Sequence, residues 1–502
     1  MQPEKTTSAL TSKDDGAPAT LNKSALLVVI VGIVMAVLDG SIVNLALPEI
    51  GRELNASAAQ SIWVINAYQI ATLALLLPMA NWGDRIGYRR VYLSGMVTFT
   101  LASVGCALAN SLETLAFARA LQGVGAAGLM GVNAALIRLI YPRHLLGRGI
   151  AINSTVVAIA AVAGPSVSAA ILSVASWPWL FALNIPMGLL AFFIGRKVLP
   201  NNRASMAESL LSPSDKPATA GKQASWVDVL LNGLMFGLIF LGVDGLGVRN
   251  PSALEGAGFP VWAMVELAAG IASGVVYMRR HLRLTVPLFP LDLLRIPVFA
   301  LSIGTSVAAF SAQMLAYVAL PFLLLGALSR SHVETGLLLT AWPICIVLVS
   351  IVIARLIGRM DGGLLGGVGL GVMALGLASL ALLPMDASNA DIVWRMALCG
   401  AGFGLFQSPN NHIIILSAPL HRSGGASGML GTARLTGQTT GALLMAIIFS
   451  VWGQKDVGSA AMDLAYQSQA SFAALWLAAA FALLAGIFSL LRIGRGVGSG
   501  PV

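Results

Sequence analysis

Charge is scarce in this chain: 10% of the residues are Asp, Glu, Lys or Arg, against about 25% in a soluble domain. That scarcity excludes an ordinary soluble globule. Cysteine is scarcer still, three in 502 residues. Cys106, Cys345 and Cys399 stand singly in apolar stretches, without Cys-x-x-Cys or a histidine at ligand spacing. This pattern excludes a disulfide framework and a Cys/His metal centre, and leaves packing as their role. Also missing are a Gly-x-x-x-x-Gly-Lys-Ser/Thr phosphate loop, a His-Glu-x-x-His and a Gly-x-Ser-x-Gly. No polar stretch is long enough to house a catalytic domain. The chain therefore reads as no enzyme and no ATP-driven pump, and neither a cofactor nor a metal is expected.

What is there is apolar: 57% of the residues are hydrophobic, and 54 glycines are spread among them. Glycines in such runs suit close packing between transmembrane helices. About 20 apolar residues cross a hydrocarbon core of about 30 Å as a helix. Runs of that kind are drawn at 25–47, 62–82, 91–110, 113–140, 149–175, 179–199, 226–247, 260–278, 298–325, 335–356, 364–384, 391–417, 424–452 and 470–492. The fold class predicted is an all-α polytopic membrane protein with fourteen transmembrane helices. The first run lacks a convincing cleavage site and reads as an uncleaved anchor.

The basic residues give the orientation. With loops assigned alternately, 23 of the 30 Lys and Arg fall on the side of the N-terminus. Arg52, Arg249, Arg330 and Lys455 fall opposite, and Arg119, Arg395 and Arg434 lie within spans. By the positive-inside rule both termini are cytoplasmic, and a bacterial inner membrane is the expected site. The formal charge of +9 records topology, so a nucleic-acid partner is not expected.

The polar stretch 200–225, rich in Ser, Ala and Pro, reads as a cytoplasmic linker. The division predicted is a disordered N-terminal tail (1–24), a six-helix bundle (25–199), that linker, two inserted helices (226–278), a second linker (279–297), a second six-helix bundle (298–492) and a C-terminal tail (493–502). An echo supports two equivalent halves: GDRIGYRR at 83–90 is answered by GRMDGG at 358–363.

Asp39 interrupts the first apolar run. A lone Asp at mid-membrane costs about 2.5–3.5 kcal/mol on insertion scales, so it must be paired, wet or protonated. Arg119 in the fourth run lies at similar depth and is its natural partner. Two readings stand: a proton-coupling site, or a fixed bridge between two helices. In GDRIGYRR, Gly83 and Gly87 permit a tight turn, Asp84 can accept from helix-end amides, and Arg85 and Arg89 carry positive charge. Gly164-Pro165 predicts a hinge or a close helix contact in the fifth run. Asn44, Asn66, Tyr68, Gln122, Gln407, Asn411, Arg434 and Gln438 are polar groups in apolar runs. They either line a central cavity or serve as interhelical hydrogen-bond glue. Asp244 and Glu266 in the inserted pair are expected at matching depth, in structural roles. Trp63, Trp82, Trp177 and Trp179 read as interfacial anchors.

Four stretches in order, LDGSIVNLALP (38–48), GDRIGYRR (83–90), RALQGVGAA (119–127) and AVAGPSVSAAIL (161–172), resemble the motifs of the major facilitator superfamily, in its fourteen-span drug:proton antiporter branch. The family motif has Gly where Ala80 stands and a Gly-Gly pair where Ser168-Ala169 stands. The resemblance implies Asp39 and Arg119 as the proton-coupling pair, with 83–89 as a cytoplasmic latch between the two bundles. It implies export of lipophilic, cationic drugs by alternating access, driven by the proton gradient. Dications are disfavoured, because Asn66 stands where dication exporters often carry an acid. An exporter of an amino acid, organic acid or siderophore-like metabolite is the alternative. The partners implied are a small-molecule substrate, protons and the lipid bilayer, with a periplasmic adaptor left open.

Overall fold

Helices rich in Gly, Ala and Leu make up nearly all of the regular structure, because backbone polar groups in a membrane must be satisfied within the segment. The computed structural model describes residues 22–142, 145–201, 225–247, 260–281, 292–353, 360–419, 423–452 and 460–493. The tail 1–21, most of both predicted linkers, most of the C-terminal tail, and Gly358 and Arg359 of the loop echo lie outside the described residues.

The helices are α1 (Lys23–Glu53), α2 (Ala58–Ser61), α3 (Trp63–Ile86), α4 (Tyr88–Ala107), α5 (Leu112–Ile140), α6 (Leu146–Leu172), α7 (Pro178–Ala182), α8 (Asn184–Val198), α9 (Trp226–Gly247), α10 (Val261–His281), α11 (Pro297–Pro321), α12 (His332–Ile353), α13 (Gly362–Ala381), α14 (Asn389–Leu416), α15 (Ser423–Trp452) and α16 (Ala460–Leu490). A π-helical turn, Phe322–Ala327, prolongs α11. Among the described residues eleven helical segments are long and apolar enough to cross a membrane. Helices α4, α6 and α14 occupy the other three predicted positions without reaching that measure. Arg89 and Arg90 open α4, and Asp391 and Arg395 sit in the first turns of α14.

Two departures from the drawn spans matter for the site. Helix α1 runs through Pro48 to Glu53, past the expected end at 47. Proline is tolerated in transmembrane helices, and the extension puts Asp39 near the middle of α1. The sixth span is interrupted at one residue, Leu183, whose φ −54° and ψ −34° stay helical. Helix α7 stops at Ala182, four residues before Pro186, whose ring excludes the carbonyl of residue i−4. Asn184 follows that interruption, at the start of α8.

Helices α1 and α3–α8 pack as one bundle, with α5 against α3 and α4, and α1 against α6 and α8. Helices α11–α16 form the second, with α13 against α14 and α16, and α11 against α15 and α16. The pair α9 and α10 pack on each other, and α9 reaches both bundles through α3 and α15. Asn232 of α9 donates to the Ala74 carbonyl of α3 at 2.6 Å.

One end of the molecule carries the start of α1 and the end of α8, joined by Asn22 Nδ2 donating to Val198 O at 3.3 Å. We call it the near side. On the far side a single hydrophobic cluster runs from Leu38–Ile50 and Trp177–Phe181 of the first bundle into Ala308–Leu324 of the second. On the near side each bundle has a cluster of its own, one around Tyr92, Phe99 and Leu136 and the other around Phe299, Ile414 and Met429. The near-side bridge is α3 on α15, where Leu77 and Leu76 lie against Gly428 and Gly431. The bundles are thus closed together at the far side and separate over much of the near side.

Candidate functional site

Asp39 is fully buried and sits among three donors from two helices, α5 and α8. Arg119 of α5 forms an ion pair with its Oδ2. Gln122, one turn further along α5, donates to Oδ1 at 2.9 Å, and Asn184 donates to the same oxygen at 2.8 Å. Arg119 also donates through Nε to the Val64 carbonyl of α3 at 2.8 Å and through Nη1 to Gln122 Oε1 at 2.6 Å. Gln122 in turn donates to Ser103 Oγ of α4 at 2.9 Å. The guanidinium lies 4.3 Å from the Tyr68 ring centroid and 5.5 Å from that of Phe181. A buried pair of this kind is kept only with such further bonds, since desolvation opposes it.

The cluster therefore joins α1, α3, α4, α5 and α8 around one carboxylate. Protonation of Asp39 would remove the ion pair and leave Arg119 with dipolar partners alone. That is a discrete change in what holds five elements together.

Of the expected cavity residues, Gln122 belongs to this ion-pair cluster. Tyr68 does too: it is buried, and its hydroxyl donates to the Ala36 carbonyl at 3.0 Å. Asn44 and Asn66 are buried, each with an Oδ1 that meets no donor among the described residues. None of these four faces open space here. Gln407, Asn411, Arg434 and Gln438 behave differently: all four are half-buried, and none of their side chains has a hydrogen bond to another described residue. Between Gln407 and Asn411, Asn410 is wholly buried. It accepts from Arg492 Nη1 at 2.5 Å and donates to Ser306 Oγ at 2.8 Å. Arg492 also reaches Ser302 Oγ at 2.7 Å and Ser489 Oγ at 2.6 Å, tying α11, α14 and the end of α16 together.

In the 83–89 stretch, Gly87 adopts φ 106°, a left-handed value that favours glycine, and there α3 ends and α4 begins. A Cβ on Gly83 would meet Val132 of α5 at 2.6 Å. Asp84 is exposed and accepts from Tyr88 Oη at 2.6 Å, and Arg89 donates to the Arg196 carbonyl at the end of α8. These contacts of Gly83, Asp84 and Arg89 stay inside the first bundle. In the echo, Asp361 caps α13 by accepting from Gly363 N at 2.7 Å.

At Gly164-Pro165, α6 continues unbroken and makes a close contact. A Cβ on Gly164 would lie 2.1 Å from Ser41 Oγ of α1. Ser168 donates to the Ile42 carbonyl at 2.7 Å. Across the bundle interface, Ser166 and Thr340 hydroxyls share a hydrogen bond of 2.7 Å, and a Cβ on Gly336 would lie 2.2 Å from that of Ala169. His332 and Glu49 approach to 3.6 Å nearby.

Asn184 escaped the sequence reading, although a lone amide in the run WPWLFALNIP was the available signal. Arg492 was missed because it lay at a span end, where basic residues are ordinary. Trp63 and Trp177 are not simple anchors: their indoles donate to Asp244 Oδ1 at 3.0 Å and Glu53 Oε2 at 2.6 Å. Trp82 and Trp179 are exposed, as anchoring requires.

Residues 29–442 match the family model for the Major Facilitator Superfamily. The chain is 50% identical over 439 residues to "Uncharacterized transporter YebQ" of Escherichia coli K12, covering 88% of this chain and 92% of that one. It is 28% identical to the riboflavin transporter RibZ of Clostridioides difficile 630, over 82% of this chain and 84% of the relative. It is 27% identical to the multidrug resistance protein Stp of Mycobacterium tuberculosis CDC 1551, over 86% and 77%.

Proposed function

This chain belongs to the Major Facilitator Superfamily, a multi-pass membrane transporter and not an enzyme, and we propose that it is a proton-coupled exporter of lipophilic small molecules. The observation that carries this reading is the buried Asp39 with its ion pair to Arg119 and its two amide donors. An ionisable residue in a membrane interior is a functional site by default, and this one is wired to five elements at once. Relatives named as a multidrug resistance protein and a riboflavin transporter support small-molecule transport.

In this mechanism the near side is cytoplasmic, as the Lys and Arg bias argues. Substrate enters between the bundles from the near side while Asp39 is held by Arg119. The bundles then rock about the midplane, the far side opens, and a proton reaching Asp39 releases Arg119 and resets the cycle. The proton gradient is the energy source, and no cofactor takes part. The near-side stretch 83–89 closes against the second bundle in the outward-open half of the cycle.

Asp39→Asn is expected to insert normally in the membrane and to abolish substrate-driven proton movement in reconstituted vesicles loaded with a pH dye. Proton exchange at the wild-type rate in that variant would remove the proposal. Dye and drug efflux from an efflux-deficient host, before and after collapse of the proton gradient, surveys the substrates.

A further inference from the structure

We infer that Arg434 is an anion-recognition residue, and that the interior takes aromatic substrates bearing a carboxylate or other anionic group. The inference rests on reading the protein as an exporter with an internal site. Arg434 lies eleven residues along α15, about 16 Å from its near end at 1.5 Å per residue. Despite that depth it keeps surface access, whereas its neighbours Thr432, Ala433 and Leu435 are buried. Ser427, Gly431, Arg434 and Gln438 recur at helical spacing, with Ser427 exposed and the other three half-buried. This stripe lies between the face packed on α11 by Gly437 and Gly441 and the face packed on α3 by Gly428, with Gly431 at its edge against Leu76. It is a row of incompletely buried positions running from the near side to the arginine.

The charges inside the molecule single out the same residue. Arg119 has Asp39, Arg280 has Asp228, and Arg395 has Asp391 four residues away. Arg492 is saturated by Asn410, Ser302 and Ser489. Arg434 has no ion pair and no hydrogen bond among the described residues; its guanidinium carbon lies 5.7 Å from the Phe310 ring centroid. Phe310 in turn packs on Phe403 at 5.3 Å. A guanidinium against aromatic rings, with all of its donors unused, suits a planar ligand that stacks and carries an anionic group. A cationic substrate would meet an uncompensated positive charge. Gln438 adds an amide one turn further along α15.

The test uses two xanthene dyes of matched size and opposite charge, fluorescein (anionic) and rhodamine 123 (cationic). Binding to the full chain in nanodiscs is followed by anisotropy. Wild type is expected to bind fluorescein at least tenfold more tightly than rhodamine 123. Arg434→Gln is expected to lose at least tenfold in fluorescein affinity and none for rhodamine 123, while Arg434→Lys keeps the anion preference in weakened form. Wild type that fails to bind fluorescein, or that prefers the cation, overturns the inference, as does an Arg434→Gln variant that binds fluorescein like wild type. Should Arg434→Gln not fold, the dye preference of the wild type and Arg434→Lys decides. Asp39→Asn separates the two proposals. If it still exchanges protons while Arg434→Gln loses fluorescein, the antiport reading fails and the anion site stands. The reverse pattern leaves antiport standing and removes the anion site.

Discussion

Asp39 owes its place to the donors around it, and each donor can be tested alone. Asn184→Leu removes one of the two amides on Oδ1. A buried carboxylate short of one donor costs about 1–3 kcal/mol. A lower Tm of the detergent-solubilised protein and slower proton-coupled flux are expected; wild-type values of both would remove this role for Asn184. Arg492 tests a different kind of burial, a cation whose hydrogen bonds all go to neutral groups. Arg492→Ala leaves Asn410 and Ser302 short of a donor, and several kcal/mol of stability should go, seen as a lower Tm of the detergent-solubilised protein. Asn184 could have been suspected in the sequence as a lone amide in an apolar run. Its proximity to Asp39 could not, because 145 residues separate them and only the packing of α8 on α1 brings them together.

Helix α6 shows how a motif works as an element. The family's Gly-Gly pair is Ser168-Ala169 here, and the packing accommodates both. Ser168 turns its hydroxyl to the Ile42 carbonyl, while Ala169 faces Gly336 on α12, so the absent methyl sits on the opposite helix. That contact is on the closed far side, next to the Ser166–Thr340 hydrogen bond. In a background without native cysteines, a Ser166→Cys, Thr340→Cys pair is expected to cross-link on oxidation and stop transport, with recovery on reduction. Cross-linking without loss of transport would show that the far side need not open here. Gly336→Leu should prevent this closure and raise far-side thiol labelling of interior positions. The sequence marked Gly164-Pro165 as a hinge or a close contact, and the contact is what the helix makes.

At the scale of the molecule, the hydrophobic core is shared between the bundles on the far side and divided on the near side. An impermeant thiol reagent is therefore expected to reach Ser427→Cys and Gln438→Cys from the near side and not from the far side, measured in vesicles of both orientations. Labelling of Gln438→Cys from the far side alone would reverse this reading of the conformation. The amino-acid sequence by itself determined the class: scarce charge and recurring apolar runs leave a polytopic helical membrane protein, and ordered motifs pointed to the family. Local composition suffices for that, because a membrane span must satisfy its own backbone. It also paired Asp39 with Arg119, since depth along a helix is countable at 1.5 Å per residue. Only the tertiary structure decided how eight polar residues divide: Tyr68 and Gln122 join the ion-pair cluster, Asn44 and Asn66 are buried apart from it, and Gln407, Asn411, Arg434 and Gln438 are half-buried. Which way a side chain faces depends on the neighbouring helices, and here the break at Gly87 and the close approaches at Gly164 and Gly336 set those neighbours.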